Sequence, residues 1–158
     1  MSLGWDSLTF EPSAEAIEQL AESWAWLLKE PFRPVLFTVL GDMFFARDDD
    51  SVWWLNTGTA EITRVADSID TFQEQLGAEQ ADDWFLPNLI ELLHAAGKVP
   101  EEGECYTYVT LPIFQDGRYE VDNLNPVPAW EHFSLTGEIH RQIAELPESV
   151  KVKTHTTH

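Results

Sequence analysis

Three consecutive aspartates followed by two tryptophans form the densest run of chemically capable side chains in the sequence. Carboxylates bind hard cations, but a calcium loop needs oxygen ligands at alternating positions, a glycine at the turn and a distal glutamate. After Asp48 and Asp50 the next alternating position is Val52, so the run lacks this pattern. It instead predicts a solvated hairpin turn between two strands. The candidate partner-binding residues of this stretch are Asp48, Asp49, Asp50, Trp53 and Trp54.

Histidines near carboxylates on helices are the second candidate for chemistry. Glu91 and His94 lie three residues apart, which is one half of the motif that binds iron in carboxylate-bridged bundles, and the sequence has no second half. His132 and His140 are eight residues apart. This spacing places them on nearly opposite sides of a regular helix, about 80° apart at best. We therefore predict polar helix faces at these positions and no metal site.

Cys105 is the single cysteine, and it could act as a nucleophile only if a histidine lay beside it in the folded chain. The sequence leaves that arrangement open, although a lone cysteine in an alternating strand is typical of a small buried apolar residue. The sequence contains no glycine-rich phosphate loop, zinc-ligand spacing or nucleophile elbow. We therefore predict no catalytic residue, no cofactor and no enzymatic activity.

The charge balance narrows the range of partners. The 158 residues include 28 acidic and 9 basic side chains, and the formal net charge is -19. Such a field repels nucleic acid and anionic membranes, and it accelerates encounters with basic proteins. The alternative, in which the acidity only maintains solubility, remains open. Because the chain has one cysteine and no signal peptide at its beginning, we expect a soluble cytoplasmic protein.

The elements that must position these residues alternate between helical and extended periodicity. One helix begins at Ser13 and ends before Pro31, and a helix capped by Ser68 precedes a further helix over DDWFLPNLIELLHAAG. Alternating residues predict strands within VLFTVLGDMFFA, SVWWLN, AEITRVA, ECYTYVTLPIF and YEVDNL. A last helix begins within PAWEHF and is weakened in its middle by Gly137.

The order of these elements predicts the fold class. Short connections between consecutive strands imply an antiparallel meander. The sequence therefore predicts a single α+β domain over residues 1–149, in which a mostly antiparallel sheet packs against helices. Residues 150–158 are expected to form a flexible tail.

Two tryptophan pairs indicate a surface for a partner. Trp24 and Trp26 are two residues apart on a helix, and Trp53 and Trp54 are neighbours on a strand, so neither pair can face one core. One member of each pair should therefore be peripheral. Exposed aromatic side chains on an acidic surface suit a protein interface. The alternative, in which they pack under the terminal helices, is equally open.

Two long segments of the sequence resemble a bacterial immunity family. LGDMFFARDDDSVWWLNTGTAEITRVADSIDTF is followed by EGECYTYVTLPIFQDGRYEVDNLNPVPAWEHF. The elements that carry the resemblance are Gly41-Asp42, Thr57-Gly58, Ala66-Asp67-Ser68 with Phe72, Glu104-Cys105-Tyr106 and Asn123-Leu124. They are similar to the C-terminal domain of type VI secretion DNase-immunity proteins of the Tdi type, over residues 36–145. The first segment also resembles the wider SUKH group of immunity proteins.

The resemblance implies an α+β fold, no catalysis, and neutralisation of a toxin inside the producing cell. Family members usually carry a GAD-like domain before this one, whereas here a short helix over residues 13–29 precedes the similar region. A nuclease toxin has a basic DNA-binding face, so an inhibitor with a charge of -19 would be steered towards that face and would cover it. The alternative hypothesis is a small-ligand-binding or regulatory domain with an aromatic cleft of Trp53, Trp54 and Tyr106.

Overall fold

The computed structural model describes residues 4–79 and 81–146, and the predicted tail over residues 150–158 lies outside them. The helices are α1 (Trp5–Leu8), α2 (Ala14–Ser23), α3 (Ile69–Leu76), α4 (Ala81–Phe85), α5 (Pro87–Ala95) and α6 (Ala129–Ala144). The strands are β1 (Thr9–Phe10), β2 (Arg33–Thr38), β3 (Met43–Ala46), β4 (Val52–Asn56), β5 (Glu61–Ala66), β6 (Glu104–Tyr108) and β7 (Leu124–Pro128).

Strands β1 to β5 form one antiparallel sheet in which every neighbour in space is also the neighbour in sequence. This arrangement confirms the predicted meander and the predicted α+β class. Strands β6 and β7 form a separate antiparallel pair. The pair is joined to the end of the larger sheet by a hydrogen bond in which the Tyr106 N–H donates to the Val39 carbonyl oxygen at 2.7 Å.

Helices cover both faces of the larger sheet, because successive side chains of a strand point to opposite faces. Phe44 packs against helices α3 and α4, with its ring centroid 4.8 Å from that of Phe72 and 5.1 Å from that of Trp84. Its neighbours Met43 and Phe45 belong to a second apolar cluster, to which α2 contributes Leu20 and α6 contributes Phe133. The molecule therefore has three layers, and β3 lies buried in the middle one.

Local sequence signals position several helix ends correctly. Ser13 and Ser68 are N-caps, and their hydroxyl oxygens accept hydrogen bonds from the N–H groups of Ala16 and Thr71, both at 3.1 Å. Gly97 ends α5 with a φ of 80°, and the Lys98 N–H bonds back to the Leu93 carbonyl oxygen. This pattern is a Schellman cap.

Three predicted boundaries are wrong. The segment expected to form one helix before Gly97 forms α4 and α5, because a residue before proline avoids the right-handed helical region and Leu86 adopts a φ of 47°. Helix α2 ends at Ser23, earlier than predicted. The returning strand β7 begins at Leu124, after a short 3-10 turn (Val121–Asn123) within the predicted strand.

Gly137 has a packing role that its low helix propensity does not reveal. A Cβ atom at this position would lie 2.6 Å from the Ser23 carbonyl oxygen, so glycine allows α6 to approach α2 closely. The Gly137 carbonyl oxygen also accepts a hydrogen bond from Trp26 Nε1 at 3.2 Å. Trp24 is fully buried beneath this crossing and Trp26 is half-buried, as their spacing predicts.

Gly41 in the β2–β3 turn allows a second close approach. It has a φ of 86°, and a Cβ atom there would overlap the imidazole of His132 on α6. Gly97 has a similar φ of 80°, but a Cβ atom there would have no neighbour within 4 Å. The two glycines therefore share a backbone requirement and differ only in their surroundings.

We expect Gly41→Ala to lower the free energy of unfolding by about 2 kcal/mol more than Gly97→Ala. Both variants incur the strain of a left-handed backbone, but only Gly41→Ala also places a methyl group where the His132 imidazole lies and forces that ring to move. Chemical denaturation of both variants measures the difference. Equal losses in the two variants would show that the contact with His132 can relax without cost.

Candidate functional site

The aspartate run forms the turn between β3 and β4, as predicted. The Arg47 N–H donates to the Ser51 carbonyl oxygen at 3.0 Å, and the Asp50 N–H donates back to the Arg47 carbonyl oxygen at 2.9 Å. Asp50 adopts a φ of 66°, a conformation that aspartate tolerates better than most residues. All three aspartates are exposed.

The three carboxylates of the turn are not arranged around one cation. Asp49 accepts hydrogen bonds from the hydroxyl and the backbone N–H of Ser51, which hold the pKa of Asp49 below its ordinary value. Asp50 forms an ion pair with Arg33 at 2.8 Å. Within residues 4–79 and 81–146, no group of three or more His, Cys, Asp or Glu side chains is placed to hold a metal ion.

Trp53 lies beside the turn and is held by polar contacts on both its ring and its nitrogen. The Arg47 guanidinium lies 3.9 Å from the centroid of the Trp53 ring, and Trp53 Nε1 donates to the Ser51 hydroxyl at 2.8 Å. A shallow cleft of about 300 Å³ is lined by Glu30, Pro31, Arg47, Asp48, Asp49 and Trp53. The turn therefore brings two of the predicted aspartates and one predicted tryptophan to a common surface.

Trp54 points to the opposite face of the sheet and does not join that surface. Its ring stacks on Phe44 with centroids 6.2 Å apart, and its Nε1 donates to Asp42 Oδ2 at 3.2 Å. Tyr106 is fully buried, and its hydroxyl donates to the Lys98 carbonyl oxygen. The aromatic cleft expected from Trp53, Trp54 and Tyr106 is therefore wrong, because Trp53 lies on the opposite face of the sheet from Trp54 and Tyr106 is fully buried.

A buried polar network lies where the β2–β3 turn meets the β4–β5 turn. The Asp42 carboxylate accepts hydrogen bonds from the Thr57 N–H at 2.9 Å and the Thr57 hydroxyl at 3.1 Å, in addition to that from Trp54. Burial outweighs these bonds and raises the pKa of Asp42 from 3.8 to about 6. The network therefore ties two turns together through one carboxyl group.

Both histidines of α6 bind this same network. His132 Nε2 lies 2.9 Å from the Thr57 hydroxyl and 3.2 Å from the Gly41 carbonyl oxygen. His140 Nε2 lies 3.0 Å from the Thr57 carbonyl oxygen. The prediction that the two histidines occupy nearly opposite sides of the helix is wrong, because a buried helix face is wide enough to include positions about 80° apart.

The partners of His132 define its tautomer. A carbonyl oxygen only accepts hydrogen bonds, so Nε2 carries the proton that faces Gly41, and Nδ1 accepts from the Thr107 hydroxyl at 2.8 Å. Burial lowers the pKa of His132 from 6.5 to about 4 and also lowers the pKa of His140. Both rings serve as neutral hydrogen-bonding groups in the core.

The other candidates for chemistry are placed as structural residues. Cys105 is fully buried within the apolar cluster between the sheet, α2 and α6, and burial raises the pKa of its thiol well above the ordinary value. A thiol in such a place is a poor nucleophile. Glu91 is exposed on α5, whereas His94 lines a groove between α5 and the first turn of the chain.

That groove is an acidic surface that sequence reasoning missed. It has a volume of about 610 Å³, and its lining includes the carboxylates of Asp6, Glu11, Glu101, Glu102 and Glu104. These residues come from two segments that are distant in sequence and meet only because α1 packs against α5. The EEGE run at residues 101–104 was the one local signal that could have indicated it.

The fold and its surface chemistry define the class of protein. It is an α+β domain in which the two histidines of α6 lie inside the core and several carboxylates lie around surface clefts. None of the described helices is long and apolar enough to cross a membrane.

One segment of the chain matches a known protein family. Residues 66–140 are similar to the family described as T6SS immunity protein Tdi1, C-terminal. The match confirms the resemblance seen in the sequence and supports an immunity role. It covers α3 to α5, β6, β7 and most of α6, and it leaves the turn at residues 48–50 outside. No curated protein matches the chain.

The buried network predicts two opposing dependences of stability on pH. Burial raises the pKa of Asp42 from 3.8 to about 6, so between these pH values the folded state holds a proton that the unfolded state has released. The free energy of unfolding therefore falls as the pH rises from 3.8 to about 6. The pKa of His132 is lowered to about 4 from 6.5, so its contribution to the free energy of unfolding rises over nearly the same range. Each contribution is on the order of 3 kcal/mol.

Single substitutions should separate the two contributions. Between about pH 4 and about pH 6.5, the stability of Asp42→Asn relative to the wild type should rise with pH, and that of His132→Asn should fall. Urea denaturation at several pH values measures both differences, with His94→Asn on α5 as the control. Two flat difference curves would show that neither buried group titrates as the network requires.

Proposed function

We propose that this protein neutralises a basic toxin by binding it and covering its active surface, without catalysis. The family match over residues 66–140 carries this proposal. The formal net charge of -19 supports a basic partner, because opposite charge accelerates encounter and like charge suppresses wrong partners. A DNase fits this description, since an enzyme that binds polyanionic DNA must have a basic active face.

Two acidic surfaces support the electrostatic part of the proposal. The first is the cleft beside the β3–β4 turn, where Asp48 and Asp49 lie next to Trp53. The second is the groove with five carboxylates between α1 and the segment that precedes β6. An aromatic ring beside carboxylates can contact both the apolar and the cationic parts of lysine and arginine side chains. We propose that the site of action is the cytoplasm of the producing cell and that the likeness to the SUKH group is one of fold.

Co-expression tests the proposal directly. The toxin encoded by the reading frame beside this gene should arrest growth when expressed alone, and this protein should restore growth and co-purify with the toxin. The complex should weaken as the salt concentration rises, because screening removes the attraction between exposed charges. Growth arrest that persists together with a failure to co-purify would refute the proposed function.

Neutralising the aspartate turn should slow association with that toxin. We expect the triple variant of Asp48, Asp49 and Asp50 to Asn to keep the fold, since asparagine can still accept the hydrogen bond from the Ser51 N–H. Stopped-flow measurements at low salt should show an association rate reduced several-fold, with little change in the dissociation rate.

A matched control separates position from total charge. The triple variant of Glu15, Glu18 and Glu22 to Gln removes the same number of charges from the exposed side of α2. If both triple variants slow association equally, the turn acts only through the net charge and is not part of the binding surface.

A further inference from the structure

Helix α6 buries three polar side chains beside the apolar Ala129 and Phe133, and it exposes two aliphatic ones. Its buried side includes His132, Thr136 and His140, all of which are at most 2% exposed. Its outer side exposes Leu135 and Ile139 to 50% and 38%. A surface helix normally buries its apolar side chains and exposes its polar ones. These two aliphatic side chains therefore add little to the core of the folded protein.

The exposed aliphatic side chains of α6 form one line. Leu135 and Ile139 lie about 40° apart at about 100° per residue, and the exposed Leu146 lies two residues beyond the last residue of the helix. Isolated exposed aliphatic residues are ordinary, but aligned ones on one helix are typical of a contact surface. We call Leu135 and Ile139 the outer stripe.

The charges beside the outer stripe favour a basic partner. Glu131, Glu138 and Glu145 recur every seven residues and therefore follow the stripe along one side. Arg141 pairs with Glu138 and Glu145, so this side keeps an excess of negative charge. A second copy of the chain would bring the same glutamates and a further charge of -19, which disfavours self-association.

We propose that the outer stripe is the apolar contact by which this protein holds a basic protein partner whose own apolar side chains are flanked by lysine or arginine. The inference rests on the proposed function and specifies which residues slow the dissociation of the complex. Most of α6 lies within the segment that matches the immunity family. Surface carboxylates speed association, whereas a desolvated aliphatic contact slows dissociation.

The double variant Leu135→Gln with Ile139→Gln tests the inference. Both positions are exposed and glutamine suits a helix, so the thermal midpoint should stay close to that of the wild type. Binding to the toxin encoded beside the gene should weaken by about tenfold or more, through faster dissociation at an unchanged association rate. If the double variant unfolds, Leu135→Gln alone provides the same comparison.

The control is Leu92→Gln on α5, which removes an aliphatic side chain that is 59% exposed and lies outside the stripe. It should leave the dissociation rate unchanged. Equal dissociation rates for the wild type and the stripe variant would overturn the inference while leaving the proposed function intact. A wild-type dimer that the stripe variant dissolves in sedimentation experiments would also overturn it, since the occupant would then be a second copy. If the wild type does not bind the toxin, the proposed function fails and the inference fails with it.

Discussion

The hydrogen bonds between the Gly41-Asp42 turn, Thr57 and the two histidines of α6 are the constraint on which the rest of the structure depends. They join the β2–β3 turn, the β4–β5 turn and the last helix at one buried point, and Thr107 adds strand β6 through His132. A buried donor or acceptor without a partner costs about 1–3 kcal/mol. Each element therefore fixes the positions of the others, and none can rotate without leaving polar atoms unpaired.

This network determines which side of α6 faces outward. Burial of Ala129 and Phe133 already limits the rotation of the helix. Because His132 and His140 must both reach Thr57, and because Gly137 must face Ser23, only one rotation satisfies the core. Leu135 and Ile139 are then directed to the surface. Hydrogen bonds of defined geometry fix the buried side of α6, so exposed apolar residues on its outer side do not compete for places in the core.

The sequence predicts those parts of the fold whose causes are local. The caps at Ser13 and Ser68, the glycine that ends α5 and the charged turn at residues 48–50 each depend on a few neighbouring residues, and they are where the sequence places them. The break at Leu86 was missed because the helical spacing of apolar residues continues on both sides of Pro87. The convergence of His132 and His140 on Thr57 was missed because the partner lies 75 or more residues away in sequence. The acidic groove was missed for the same reason, since its acidic residues come from two segments about 90 positions apart in sequence, residues 6–11 and 101–104.

The charged surface and the buried network both make stability depend on pH. A net charge of -19 repels itself in the compact state at any pH at which the carboxylates are ionised, and the fold has to offset that repulsion. A buried group that titrates adds a further dependence on pH. Here the raised pKa of Asp42 and the lowered pKa of His132 act in opposite directions over nearly the same range, so their contributions largely cancel. The stability of the core can therefore stay nearly constant while the surface carboxylates remain free to attract a partner.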